Sequence, residues 1–250
     1  MRAAAAVSLF LVMACGNSDP ASPDGAVVVD ATVADATIFD AGQPDAFDPC
    51  PGETPFEVGA VDWVTGENLP GVSVQERGDG NAGSSAPNGR VVLCVGGTGP
   101  IDIRLTKTDY VDRVHTTTVE AIAAQYATGI APSFRMMTTA AADALYAGVG
   151  ETRSLAATTV IAMPTHAGTG EPLSGATVAI IAANDGAYTP DGAGIVSGAV
   201  SQVDGKVLFL NAEIGAGTTE TAVTGPTSCE IPTSVTLEAG VSSVSMACQP

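Results

Sequence analysis

The chain has 250 residues, 27 acidic against 9 basic side chains and a net charge of −18, with 45% hydrophobic but only 4% aromatic residues. An acidic balance of this size repels phosphate backbones and excludes a nucleic-acid partner; the longest uncharged apolar run, residues 3–14, is too short to span a bilayer as a helix. A mean hydropathy of +0.28 excludes a chain disordered throughout, and 29 glycines and 16 prolines suit about two turn-rich domains.

Residues 1–14 place one positive charge, Arg2, before an apolar stretch that ends at the small residue Ala14. That is the layout of a secretory signal peptide. Val12-Met13-Ala14 followed by Cys15 resembles the lipobox of bacterial lipoproteins, with Val12 standing where the family prefers leucine. The resemblance implies that Cys15 becomes a diacylglycerol thioether and the new N-terminus after cleavage. Acyl chains contribute about 0.8 kcal/mol per buried methylene, so several of them anchor a protein durably. Gly16, where the family rule sets Asp for inner-membrane retention, implies the outer membrane. The alternative is an ordinary secreted protein whose Cys15 is trimmed away or disulfide-bonded.

Residues 15–49 contain seven aspartates (19, 24, 30, 35, 40, 45 and 48) and no lysine or arginine. Asp30, Asp35, Asp40 and Asp45 recur every five residues, a period that fits neither helix nor strand, so no face can be buried. Like charges at this density extend a chain, which predicts a disordered acidic tether. Calcium is the competing reading, but no D-x-[DN]-x-[DN]-G loop occurs there.

Beyond the tether the sequence repeats itself. Thr65-Gly66-Glu67-Asn68-Leu69-Pro70-Gly71-Val72-Ser73-Val74 matches Thr169-Gly170-Glu171-Pro172-Leu173-Ser174-Gly175-Ala176-Thr177-Val178 at six of ten positions. Asn88-Gly89-Arg90-Val91-Val92-Leu93 matches Asp204-Gly205-Lys206-Val207-Leu208-Phe209, with twelve extra residues accommodated between Asn184 and Gly198 in the second copy. A repeat near 100 residues means duplicated domains and not a solenoid. Strands are expected at Phe56–Val64, Arg90–Val95, Ile101–Leu105 and Val111–Thr118, and again at Lys206–Leu210, Thr218–Thr224, Thr233–Leu237 and Val241–Ala247. The Asn-Gly and Asp-Gly dipeptides supply tight turns. Short strands at this spacing predict antiparallel β-sandwiches. Between the copies, Thr139 can cap one short helix, Ala140 to Ala147, ended by Gly148. It is too short to stand alone and should dock on a sandwich or lie between the modules. Residues 119–134 fit strand and helix equally.

The frame of strand, T-G-x-x-L-x-G, gap, N-G or D-G, strand resembles the carboxypeptidase regulatory-like modules. That likeness implies a transthyretin-like (prealbumin-like) β-sandwich and a module without catalytic residues. The expected organisation is an all-β protein with two tandem sandwiches: signal peptide 1–14, lipidated Cys15 and tether 15–49, first sandwich 50–135, helix and connector 136–157, second sandwich 158–250.

Leaving Cys15 to lipid, four cysteines remain, two per module, which implies disulfides in an oxidising compartment. Cys50–Cys94 and Cys229–Cys248 are the favoured pairs among three connectivities because each lies within one expected domain; no C-x-x-C spacing suggests metal. No H-E-x-x-H, G-x-S-x-G, S-x-x-K or phosphate-loop run occurs, so no catalytic residue and no cofactor is assigned. His115 is expected on a strand surface and His166 in a surface loop, although either could serve a hydrolase whose members meet only in space. Trp63 is expected to pack. Tyr188 is the most exposed-looking aromatic, and with Asn184, Asp185 and Asp191 it forms the candidate loop for a sugar or calcium. The sequence therefore predicts a non-enzymatic cell-envelope protein, held at the membrane by an N-terminal lipid, with an envelope protein or a glycan as partner; its alternative is a carbohydrate- or calcium-binding surface module.

Overall fold

In a computed structural model, which describes residues 49–250 except 79–80, 128–130, 168, 191–194, 226–227, 231–233 and 250, the first copy opens on β1 (Thr54–Asp62). It continues through β2 (Ser73–Glu76), β3 (Ala82–Ser84), β4 (Arg90–Val95), β5 (Pro100–Thr106), β6 (Arg113–Thr118), α1 (Val119–Ala127) and β7 (Ser133–Met136). A second helix, α2 (Thr139–Gly148), leads to the second copy: β8 (Ala157–His166), β9 (Thr177–Ile180), β10 (Ala187–Pro190), β11 (Ile195–Ser197) and β12 (Val207–Glu213). The chain then runs through β13 (Thr218–Thr219), β14 (Thr221–Thr224), β15 (Ser228–Glu230), β16 (Val235–Thr236) and β17 (Gly240–Gln249). The signal peptide, Cys15 and the aspartate ladder lie outside the described residues.

Each copy is a sandwich. In the first, the sheet β4-β1-β7 faces β6-β5-β2-β3. Alternation turns Val58, Ala60, Val74, Leu93, Ile103 and Leu105 inward, where Phe134 and Met136 join them. In the second, β12-β8-β17 is covered by the pairs β9-β14 and β13-β16, around Val160, Ala162, Val178, Phe209, Val235, Val244 and Met246. The repeated motif has a repeated cause. Ser85 accepts a hydrogen bond from Val72 N and donates to Leu69 O at 2.9 and 2.6 Å. Ser201 does the same with Ala176 N and Leu173 O at 3.0 and 2.7 Å. Gly89 sits at φ 75 with the Ala60 carbonyl 2.7 Å from where a Cβ would be, and Gly205 at φ 65 presses equally closely on Pro172. Only glycine allows both the left-handed backbone and that approach.

The copies are not merely consecutive. β6 of the first pairs in parallel with β17 of the second, Val241 to Val244 opposite Arg113 to Thr116. One sheet therefore runs β11-β10-β12-β8-β17-β6-β5-β2-β3. Across it, Ile103, His115, Ser243 and Ile161 form one row, and Asp102, Thr116, Val244 and Ala162 form the next. Adjacent rows point to opposite faces. Ile103 belongs to the first core, while Val244 and Ala162 belong to the second, so the two cores lie on opposite faces of a shared sheet. Helix α2 covers the remaining face of the second copy: Ala142 and Tyr146 pack on Ile161, Leu208, Leu210 and Val241.

Several expectations change. The sheets are mixed: β1–β7, β17–β8 and β17–β6 are parallel, each joining strands far apart in the chain, which a hairpin cannot connect. There are two helices among the described residues. Residues 119–127 are helical because alanine, the best helix former, fills the positions whose alternation mimics a strand; Thr118 Oγ1 caps it by accepting from Ala121 N at 3.1 Å. In α2 the cap is Thr138, one residue earlier than expected, accepting from Ala141 N at 3.1 Å, and the C-terminal cap is Val149. β1 ends at Asp62, whose carboxylate takes the amides of Val64 and Thr65 at 2.8 and 2.9 Å. That bend throws Val64 into solvent, 71% exposed. Within the stretch that accommodates the twelve extra residues, β10 and β11 pair antiparallel at the edge of the sheet.

Candidate functional site

The cysteines pair as Cys50–Cys94 and Cys229–Cys248. The first bridge fastens Cys50, just ahead of β1, to β4, and the second joins directly opposed residues of β15 and β17.

The candidate ligand loop is split by the strand that follows it. Asn184 and Asp185 are exposed. Asn184 turns on itself, accepting from Gly186 N at 3.0 Å and donating to Ala182 O at 2.9 Å. Tyr188 is half-buried in β10; its ring folds over Gly186 and packs against the α2-facing cluster, because alternation in β10 aims it there and not into solvent. Asp191 lies outside the described residues. Sequence reasoning missed Asn211, which organises this end of the molecule. It sits at φ 49 in a bulge of β12 and donates to Asp185 Oδ2 at 2.6 Å and Thr152 O at 2.9 Å. It also accepts from Ser154 N at 2.8 Å, and its own amide donates to Tyr146 Oη at 3.1 Å. Asparagine is among the few residues that tolerate the left-handed region, which is the one sequence hint available.

Beside Asn211 lies a shallow groove of about 480 Å3, bordered by Ser154, Asp185, Asn211 and Glu213. A second of about 480 Å3, which shares Glu213 and continues to Ile181 and Glu220, adjoins it. The carboxylates and the amide can accept hydrogen bonds from hydroxyls, and the apolar rims can pack against a ligand's apolar face. Among the described residues, however, neither groove brings a histidine, cysteine or lysine to its border. Among the described residues no three or more histidine, cysteine or acidic side chains converge as a metal site.

The histidines are placed differently from expectation. His115 is 3% exposed, because β6 is covered on one face by the first core and along its edge by β17. Its Nδ1 lies 3.1 Å from Ser243 Oγ, and its ring centroid 4.5 Å from that of Phe134. Burial first, then the Arg113 guanidinium, push the imidazole down to about 3. Ser243, fully buried, donates to Val114 O at 3.3 Å and accepts from Arg113 Nε at 3.0 Å. A serine and a histidine are thus adjacent, but the hydroxyl proton is committed, the ring is a very weak base, and no substrate reaches either. His166 is the last residue of β8, not a loop residue, and is half-buried; its backbone brackets the Thr169-Gly170 turn through Glu171 O and Gly170 N at 2.8 and 2.9 Å. Trp63 packs, as expected, against the cluster beneath α2.

No protein-family model matches the chain, and no curated protein matches it. Among solved structures it is similar to the shaft pilin SpaA of Lactobacillus rhamnosus GG, at 12% identity and a TM-score of 0.26 over 79% of this chain and 98% of that one. It is also similar to GBS52, the minor pilin of Streptococcus agalactiae, at 9% identity and a TM-score of 0.28 over 79% and 96%. The Bacillus anthracis TIE protein is 11% identical with a TM-score of 0.27 over 79% of this chain, which spans about a third, 34%, of that protein's length. At scores of this size two backbones do not follow the same course, so the likeness carries no argument about role.

Proposed function

We propose that this is a non-enzymatic, lipid-anchored protein of the cell envelope, which holds a fused pair of β-sandwich modules off the outer membrane on an acidic tether, for a structural or adhesive role. The observation that carries the reading is the shared sheet. Three buried polar residues, Arg113, His115 and Ser243, and the half-buried Asp102 with its partners join the two modules, whereas the surface grooves are shallow. A welded pair with a disulfide at the root of its tether suits display better than turnover. The lipobox-like run supports Cys15 as the anchor. Mass spectrometry of the envelope-extracted protein is expected to find a diacylglyceryl group and an added acyl chain on an N-terminal Cys15, and Cys15→Ala is expected to appear in the medium or periplasm. An unmodified, soluble wild-type protein would refute the anchor.

The groove beside Asp185 and Glu213 favours a second reading, a glycan- or calcium-binding surface module. Calorimetric titration with calcium and with envelope oligosaccharides decides it: heat that disappears in Asp185→Asn would support this reading, and silence would remove it.

A further inference from the structure

We infer that the joint between β6 and β17 is an acid-sensitive latch, held shut by the uncharged imidazole of His115 and released when that ring takes a proton. The geometry places the ring at the seam itself. His115 is directly opposed to Ser243 of the other module and bonded to its hydroxyl, and the same hydroxyl binds Arg113. Arg113 is 3% exposed, and its partners are neutral: Ser243 Oγ, the Arg135 carbonyl at 2.7 Å and the face of Phe134. The seam therefore already holds one buried cation without a carboxylate. A second positive charge two residues along the same strand face would meet repulsion and desolvation together.

The hydrogen bond to Ser243 favours the protonated ring, but less than burial and Arg113 oppose it, and no described carboxylate faces the ring. From β5 the opposing residue is Ile103; Asp102 and Arg104 point to the other face, where Asp102 accepts from Thr116 and Thr236 at 2.7 and 2.6 Å. From β7 comes Phe134, flanked by the exposed Arg135. From α1 the one charge is Glu120, exposed and occupied by Gly99 N. From β17 comes only serine.

The sign follows from linkage. The ring ionises near 6.5 in the unfolded chain and at about 3 in the folded one. Between those values the unfolded chain holds a proton that the folded chain lacks, so the joint is fully stable above pH 6.5 and weakens as pH falls. Each pH unit lost in that window raises the opening constant about tenfold. Asp62, whose carboxyl is held below its ordinary 3.8, loses its contribution only at lower pH, which leaves pH 6.5 to 4.5 to the histidine.

The test is urea unfolding of the disulfide-bonded chain in steps from pH 7 to 4.5, with His115→Gln and His115→Phe beside the wild type. The wild-type unfolding constant is expected to climb about fiftyfold more than that of either variant between pH 6.5 and 4.5; parallel curves would overturn the latch. Should both variants fail to fold, NMR of the wild-type ring decides: a neutral His115 at pH 5 in the folded protein supports it, and a ring titrating near 6.5 without loss of fold overturns it. Amide exchange, corrected for intrinsic rates, locates the opening. Protection is expected to fall at pH 5 in β6 and β17 before β1 and β4, and a uniform fall would overturn the assignment to the seam.

Discussion

The two sandwiches share their turn chemistry and differ in how they close. Ser85 and Ser201 make the same two hydrogen bonds, and Gly89 and Gly205 make the same close approach. After that the copies diverge. The first leaves its second sheet at β6, crosses through α1 and returns as the short β7, four residues beside β1. The second reaches the equivalent place with β17, ten residues long, which pairs with β8 along nine positions and has its other edge free for β6. The longer closing strand of the second copy carries the pairings that place both copies in one sheet. The lesson is that duplicated copies can keep the hydrogen bonds that define the fold and spend their differences on the contact between them.

The largest effects that test this comparison come from the bridges. Cys50–Cys94 closes 44 residues and Cys229–Cys248 closes 19. Loop-closure entropy then predicts that replacing the first pair with serines costs about 4 kcal/mol and the second about 3 kcal/mol. Denaturant unfolding of the two double variants measures this; a second-copy loss that exceeds the first would mean that β15 does more for the shared sheet than close a loop. The serines come next. Ser85→Ala and Ser201→Ala each strand a buried amide and a carbonyl and are expected to cost about 1–3 kcal/mol. If one proves silent in the same unfolding assay, the copies share a geometry but not an energetic frame.

How much of this was legible in the sequence depends on the range of the interaction. The turns were readable because Asn-Gly, Asp-Gly and T-G-x-x-L-x-G fix the backbone over a few residues, and the strands that follow them start within a residue or two of expectation. The shared sheet was not, because β6 and β17 are more than a hundred residues apart and nothing local in Arg113-Val114-His115 says which edge will cover it. The same blindness misplaced His115: alternation assigns a face, but exposure depends on what packs there. Asp62 was readable as a strand residue and not as a cap, since its partners are the two amides its own bend creates. Tyr188 looked exposed for want of neighbours in sequence, and its neighbours come from α2 and β12.

Asp62 and His166 occupy equivalent places, each ending the first strand of its copy, and they give the smallest and cleanest test. In both, the backbone closes the following turn in the same way: Gly66 N and Gly170 N donate to the carbonyls of Asp62 and His166 at 3.0 and 2.9 Å. Only Asp62 adds a side-chain cap, and it also accepts from Tyr110 Oη at 3.0 Å. The Thr65 amide first, then that of Val64 and the Tyr110 hydroxyl, hold its carboxyl below 3.8, while burial works against them. Burial and the bond to Asp62 raise Tyr110 in turn. Asp62→Ala is therefore expected to cost about 1–2 kcal/mol at pH 7, and His166→Ala no more than about 0.5 kcal/mol. The Asp62 contribution is present above pH 3.8 and is lost as pH falls through the lower value of the folded state, so wild type and Asp62→Ala should converge in acid. Thermal unfolding at pH 7 and pH 3 reads both differences. A constant gap between Asp62→Ala and wild type at the two pH values would show that the turn is held by its backbone alone, and that the cap distinguishing the first copy from the second carries no stability.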